Sequence, residues 1–260
     1  MEINELIICT NIIVFSFFAV RMNLLTAMGA LTASIIGLLI FFSFGISGIG
    51  LLGIFFITSS LLSLVKNDRK RKAEDVAAKN HKRDVVQVLA NGGVPMLVAL
   101  LPLLNISVDK SILLLAISLA SANADTWASE IGTLSKRKPR LLLNFRQVET
   151  GKSGAVSLLG TLGAIGGSFL IGISTFIFFS VSFYEVIFIT IVGFIGHVVD
   201  SFLGATIQLT YQCPICHKET EKEEHCGQQT VYKKGVRLFT NDMVNIFSIV
   251  FVTVLSYFLL

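Results

Sequence analysis

The chain is predicted to be all-α: a polytopic bundle of about eight membrane-spanning helices with a small zinc-knuckle-like loop on the cytoplasmic side. Three observations carry this reading. Hydrophobic residues make up 53% of the 260 positions and charged residues only 15%, against about 25% charged in an ordinary globular domain. Eight apolar windows, at roughly 6–20, 24–42, 46–65, 85–104, 111–131, 154–180, 184–208 and 239–260, mark bilayer spans. The charges between them fall almost entirely on one side. A soluble enzyme and a secreted disulfide scaffold are excluded, and a net charge of +4 is too small for a nucleic-acid binder.

The chain divides accordingly into N-terminal spans (1–65), a basic cytoplasmic loop (66–84), core spans (85–208), the zinc-knuckle-like loop (209–238) and a last span (239–260). The first window is not a cleavable signal, because Glu2 and Glu5 stand where a signal carries Lys or Arg. Spans 1 and 2 meet at the connector Arg21-Met22-Asn23 and form a tight hairpin. With loop 66–84 inside, eight spans put that connector and loops 132–153 and 209–238 inside as well, so that 20 of 21 basic residues face the cytoplasm. This is a strong positive-inside signal, and it puts both termini outside. Gly29, Ala33 and Gly37, like Gly163 and Gly167, recur every four residues and predict close helix contacts. In span 4, Asn91-Gly92-Gly93 and Pro95 are expected to interrupt the helix.

Ionisable groups inside apolar segments are costly and point to function. Asp125 and Glu130 close span 5, Asp200 lies in span 7, and Asp242 opens span 8. All four fall in the cytoplasmic third, together with Gln87, Asn91, Asn123, Gln208, Asn241 and Asn245. His197, Asp200, Ser201, Gly204 and Gln208 share one helical stripe, with His197 expected to partner Asp200. Asp125 and Glu130 lie about 140° apart on a straight helix, so joint service to one site requires a break near Trp127–Ser129 or an ion reaching round the helix. With no basic residue in any span to neutralise them, these acids read as a Mg²⁺ site, since Mg²⁺ takes carboxylates together with substrate phosphates.

Cations gather at the same rim. Lys136, Arg137, Lys138, Arg140, Arg146 and Lys152 follow span 5, and Lys79, Lys82 and Arg83 precede span 4. Most serve topology and attract anionic lipid, while Lys82, Arg83, Arg140, Arg146 or Lys152 could neutralise a substrate phosphate. Gly151-Lys152-Ser153-Gly154 is not a Walker A loop, because Arg146 occupies the required glycine position. A Gly-rich turn opening span 6 could still offer backbone N–H groups to a phosphate.

Cys9 stands alone in span 1 and reads as packing. Cys213-x-x-Cys216 followed by His225-Cys226 reads as a structural zinc site in a compartment where disulfides are rare. The adjacency of His225 and Cys226 strains joint ligation, with His217 as the substitute ligand.

Taken together, the segments 87–92, Asn123-Ala124-Asp125-Thr126-Trp127-Ala128-Ser129-Glu130-Ile131-Gly132, Asp200-Ser201-x-x-Gly204-Ala205-Thr206-x-Gln208, the Cys/His set with Thr220-Glu221, and Asn241-Asp242-x-x-Asn245 resemble a known family. It is the family containing transmembrane protein 19 and the plant phytyl-phosphate kinase of vitamin E synthesis. The likeness covers roughly 79–250; spans 1–3 match by hydropathy alone. Two departures stand out: His225 and Cys226 are contiguous, and Lys152 sits in the Gly-rich segment. The resemblance implies phosphoryl transfer from a nucleoside triphosphate, CTP by preference, to an isoprenyl monophosphate. In that reading Asp125, Glu130, Asp200 and Asp242 hold Mg²⁺, and the amides orient phosphate or base. A phosphate acceptor is already anionic near pH 7, so no strong general base is needed. A CTP-dependent nucleotidyltransferase making a CDP-lipid needs the same cluster. An ion or lipid-phosphate transporter would place its site nearer the midplane.

Overall fold

The computed structural model describes residues 3–78 and 82–260; Lys79 lies outside them. Helix α1 (Ile3–Arg21) is followed by α2 (Ala27–Leu64), whose N-cap Thr26 accepts from the Gly29 amide. A straight helix of the 38 residues in α2 would run about 57 Å, nearly twice the ~30 Å hydrocarbon thickness. It does not run straight. Gly45 takes φ 65°, a left-handed value open to glycine, and the chain folds back on itself. A Cβ on Gly48 would lie 3.0 Å from Ile40 Cγ2, although eight residues separate them by about 12 Å along a helix. The second and third apolar windows are therefore the two arms of α2. Among the described residues seven helices are long and apolar enough to cross a membrane, and they hold the eight expected windows because α2 takes two.

Next come the short α3 (Asp68–Val76) and α4 (Val85–Val98), the latter opened by a capping box between Asp84 and Gln87. The expected interruption at Asn91–Gly93 does not occur: α4 runs through it to Val98. Gly92 serves packing, since a Cβ there would meet Ile36 Cδ1 at 2.9 Å. Pro95 falls in the last turn, before the 3₁₀ turn Leu101–Leu104, and leaves the Asn91 carbonyl without its helical donor.

Helix α5 (Val108–Gly132) is the hub, with 78% of its apolar window buried against 11% for α1. Helices α6 (Leu158–Phe179) and α7 (Phe183–Thr206) flank it, and α8 (Asn241–Leu259) closes the bundle. The Gly163/Gly167 spacing works as expected: Cβ atoms there would lie 3.0 Å from the carbonyl oxygens of Trp127 and Asn123 on α5. Leu114, Leu115, Ile117 and Leu119 of α5 fill the centre with Ile40, Ile171, Ile189 and Ile249 from the surrounding helices.

Short strands decorate one end. β1 (Arg140–Leu141) pairs with β2 (Ala155–Val156) between α5 and α6. Between α7 and α8, β3 (Thr210–Gln212) is flanked by β4 (Glu219–Thr220) and β7 (Val231–Lys234), and β5 (Glu224–His225) forms a hairpin with β6 (Gln228–Gln229). Backbone hydrogen bonds tie these connectors together: Thr26 N to Arg83 O (3.0 Å), Arg83 N to Leu24 O (2.9 Å) and Glu221 N to Val76 O (2.9 Å). The Arg69 guanidinium adds a bond to Ser135 O at 2.6 Å. Four connectors thus share one end, the four that the charge count assigns to one side.

Candidate functional site

At the connector end a cavity of about 460 Å³ opens between α5, α7 and α8. Asp125, Asp200 and Asp242 line it, joined by Ser201, Gln208 and Asn241. The helical stripe on α7 brings Asp200 and Ser201 to the same wall, as the spacing requires; Gln208 joins them from just past the helix, which ends at Thr206. Asp242 lies buried in the first turn of α8, where the helix N-terminus favours a carboxylate.

The partners differ from expectation at two acids. His197 pairs with Asp125, not Asp200, its Nδ1 lying 3.0 Å from Asp125 Oδ1. Asp200 is instead held from α8: Ser248 Oγ donates to its Oδ2 at 3.3 Å, and the Asn245 amide, in its satisfied orientation, donates at 2.9 Å. Glu130 borders the cavity, but α5 continues unbroken past it, so its carboxylate turns elsewhere. Ser63 donates to it, and Lys70 Nζ lies 2.6 Å away with only 6% of that residue exposed. The neutralising cation is absent from every span because it comes from α3. Lys70 also donates to the carbonyls of Leu62 and Ser63. Glu130 is thus an ion-paired anchor at the cavity edge, not a free ligand beside Asp125. Replacing Lys70 with Met strands a nearly buried carboxylate and should cost roughly 3 kcal/mol. Thermal melts of Lys70→Met and of Lys70→Met/Glu130→Gln check this, the double variant recovering most of the loss.

Several expected residues stay outside. Asn123 is fully buried, accepting from Ser59 and donating to Gly167 O at 2.8 Å, and so acts as glue between α2, α5 and α6. Asn91 donates to Gln87 O at 3.1 Å and lines a separate apolar cavity together with Arg83. Gln87 uses its Oε1 in the α4 capping box but borders both cavities. Lys82 and Arg140 are exposed, and Arg140 spends a donor on Phe145 O at 3.1 Å.

Glu221 is the acid that helix periodicity could not reveal, because it comes from the loop after β4. It accepts from Ser153 Oγ (2.8 Å), Gln208 Nε2 (2.6 Å) and the Ala78 amide (3.2 Å). Burial pushes its pKa up, against those three donors. The Gly151–Gly154 segment sits at the cavity edge several residues before α6 begins at Leu158, so it does not cap that helix. Lys152 turns to Glu219 at 2.8 Å, and Lys233 approaches the same carboxylate at 3.0 Å. Burial works against the Glu219 anion, but the two cations outweigh it and hold its pKa below the usual value. Lys152 also borders a second depression of about 950 Å³, where Lys136, Arg137, Lys138 and Arg146 gather. An acidic cavity therefore adjoins a cationic surface across a single lysine.

The cysteine loop folds into a compact donor set. One ligand atom each from Cys213, Cys216, His225 and Cys226 lies within 4.8 Å of all the others. His225 Nδ1 is 3.4 Å from Cys216 Sγ and 3.2 Å from Cys226 Sγ; tetrahedral Zn²⁺ spaces such atoms roughly 3.5–3.8 Å apart. The group could hold a metal such as zinc. Contiguity of His225 and Cys226 proves no obstacle, because they stand at the β5–β6 turn. There Cys226 (φ 52°) and Gly227 (φ 73°) both adopt left-handed backbone, turning both donors inward. The substitute His217 is exposed and outside the set. Hydrogen bonding from the Cys216 backbone holds the Cys213 thiol at about 6, while burial and its sulfur neighbours push Cys226 to about 11. Crowded sulfurs of this kind are what a cation relieves. His225 Nε2 faces Asp75 of α3 at 3.4 Å, a carboxylate behind the ligand histidine.

A family profile described as integral membrane protein DUF92 matches residues 10–253. The chain belongs to the DUF92 family. It is similar to Protein PGR of Arabidopsis thaliana, 32% identical over 230 residues, covering 79% of each chain. Uncharacterized membrane protein MJ0933 of Methanocaldococcus jannaschii is 33% identical over 207 residues, covering 79% of this chain and 82% of the relative. Uncharacterized membrane protein sll0875 of Synechocystis is 32% identical over 91 residues, or 35% of each. No solved structure matches. The DUF92 match agrees with the likeness to the phytyl-phosphate kinase family and extends it into the N-terminal spans, since it begins at residue 10.

Proposed function

We propose that this DUF92 protein is an integral membrane kinase that moves a phosphoryl group from a nucleoside triphosphate, CTP by preference, to an isoprenyl monophosphate. One observation carries the reading: Asp125, Asp200 and Asp242, from three helices, line one cavity beside a cation-rich surface. Three carboxylates of this kind suit Mg²⁺, which retains several waters and completes its shell with substrate phosphates. Bound there, Mg²⁺ would neutralise the triphosphate and the charge that develops on it. His197 fixes Asp125, while Ser248 and Asn245 fix Asp200, so the ligands are oriented before substrate arrives. Lys152 and its neighbours draw the nucleotide in from the cationic depression. An oxygen of the acceptor phosphate forms a bond to the γ-phosphorus, and the bond to the bridging oxygen breaks, leaving CDP and the isoprenyl diphosphate. The positive-inside count supports a cytoplasmic site with both termini outside. Zn²⁺ in the Cys213/Cys216/His225/Cys226 set is structural in this reading, bracing the loop that delivers Glu221.

Purified protein with Mg²⁺, CTP and geranylgeranyl or phytyl monophosphate should release CDP and isoprenyl diphosphate in equal amounts. No turnover with several nucleotides and chain lengths overturns the kinase. Pyrophosphate in place of CDP would identify a nucleotidyltransferase making a CDP-lipid. A transporter reading is disfavoured because the acids lie at one end of the bundle, not at its midplane.

A further inference from the structure

The kinase reading leaves the N-terminal spans without a task, yet they enclose the second cavity. It measures about 340 Å³ and lies between α1, both arms of α2, and α4. Its walls are almost wholly aliphatic and aromatic, with Ile12 and Phe15 from α1 and Ile36, Ile49 and Phe56 from α2. Lining residues on the second arm run from Ile46 to Ile57, about 16 Å along a helix. This run starts beside the Gly45 turn, away from the connectors, while Leu25 and Arg83 line the cavity at the connector end, so the cavity follows most of the depth of the two arms. Asn11 and Ser16 of α1 and Asn91 of α4 add polar groups along the wall, but the one cation among its described lining residues lies at the connectors. Arg83 borders the cavity there, with its guanidinium 5.7 Å from the Phe56 ring centroid. Among the described residues no ion pair includes Arg83. A guanidinium stays charged even though burial works against it; Glu130 attracts it from a distance, without direct pairing. Gln87 borders both this cavity and the acidic one.

We infer that the cavity between α1, α2 and α4 holds the prenyl chain of the acceptor lipid, with Arg83 and Gln87 receiving its phosphate next to Asp125. The inference rests on the kinase reading and assigns the lipid half of its site. An apolar tunnel ended by one cation selects a single-chain amphiphile bearing a compact anion. Arg83 lies at the end where Gln87 also borders the acidic cavity, so a chain threaded this way presents its phosphate toward the carboxylates. Helix α1 is the outer wall and the least buried of the spans, so the bilayer is the natural route of entry.

Gly53 provides the test. It lines the cavity, and a Cβ added there meets nothing within 4 Å, so a larger side chain fills the tunnel and not a neighbour. Leaving glycine also favours the helix. Protein in nanodiscs is photolabelled with geranylgeranyl monophosphate carrying a diazirine at the tail end, without nucleotide. The label should map to peptides of α1, α2 and α4. Unlabelled geranylgeranyl monophosphate should compete, while inorganic phosphate, geranylgeraniol and phosphatidylglycerol should compete at least tenfold less well. Gly53→Phe and Gly53→Leu, with melting temperatures near that of the parent, should each lower the label at least tenfold, and Arg83→Gln should also weaken it. Label confined to α6 and α7, labelling undiminished in both folded Gly53 variants, or equal competition by phosphatidylglycerol overturns the assignment. If neither variant folds, the labelled peptides and the competition series decide alone. Labelling needs no turnover, so this site and the kinase reading fail separately: the first by the position of the label, the second by absence of CDP.

Discussion

Asp125→Asn should abolish phosphoryl transfer, lowering kcat by at least about a hundredfold, while the protein stays folded. The substitution keeps the shape, and Asn can still hydrogen-bond His197, which lies 3.0 Å from the native carboxylate. What disappears, in the proposed kinase, is one negative charge facing the triphosphate metal. Positioning and charge neutralisation are most of what a protein supplies in this chemistry, so losing a ligand is not repaired elsewhere. Nucleotide binding should lose its Mg²⁺ dependence in parallel. Steady-state kinetics and a melting curve on the same preparation check both halves, and an active, well-folded variant removes Asp125 from the metal site. Asn123→Ala gives the opposite pattern. Its side chain links α2 and α6 to α5, so the variant should melt earlier while whatever remains folded turns over normally.

The second large effect concerns the cysteine loop. Chelation or Cys216→Ser should strip one metal per chain, measured by elemental analysis, and expose residues 209–238 to protease. Structural zinc is worth roughly 10 kcal/mol or more in small peptides at neutral pH, and this loop has little core of its own. The damage should spread along known contacts. Asp75 faces His225 and takes a 2.9 Å bond from Lys218, while Val76 O accepts from Thr220 Oγ1 at 2.7 Å. Both belong to α3, the helix that carries Lys70 to Glu130. Activity should therefore fall with metal content although no cysteine lines the acidic cavity. His217→Ala should leave metal content unchanged, since that ring is outside the donor set.

Much of the molecule is legible in its sequence. Spans were readable because long apolar helices are what hydrocarbon admits here, and the acids on α5, α7 and α8 were readable because a charge in an apolar segment is expensive. The α7 stripe needed only the helical repeat. The candidate metal-donor set followed from spacing, although β5–β6 turn geometry, not substitution by His217, reconciles His225 with Cys226. Other features needed the fold. Asn91-Gly92-Gly93 looks like a break, yet Gly92 is small because Ile36 packs there, and nothing local distinguishes those two causes. Lys70 belongs to a polar run that resembles any topogenic loop, and only the docking of α3 turns it into the counter-ion of Glu130.

By itself the sequence determined which residues can carry chemistry, on which helices, and at which end of the bundle, because burial of charge and helical period are local or one-dimensional constraints. The pairing of those residues was decided by tertiary structure alone. His197 chose Asp125 over the neighbouring Asp200, Asn123 was spent on packing, and Arg83 was turned toward an apolar cavity. Such choices depend on which helix faces which, and in a bilayer that depends on close packing of small residues such as Gly163 and Gly167 against α5. A helix carries its own hydrogen bonds wherever it sits, so its sequence says that it spans and leaves its neighbours to be chosen by shape.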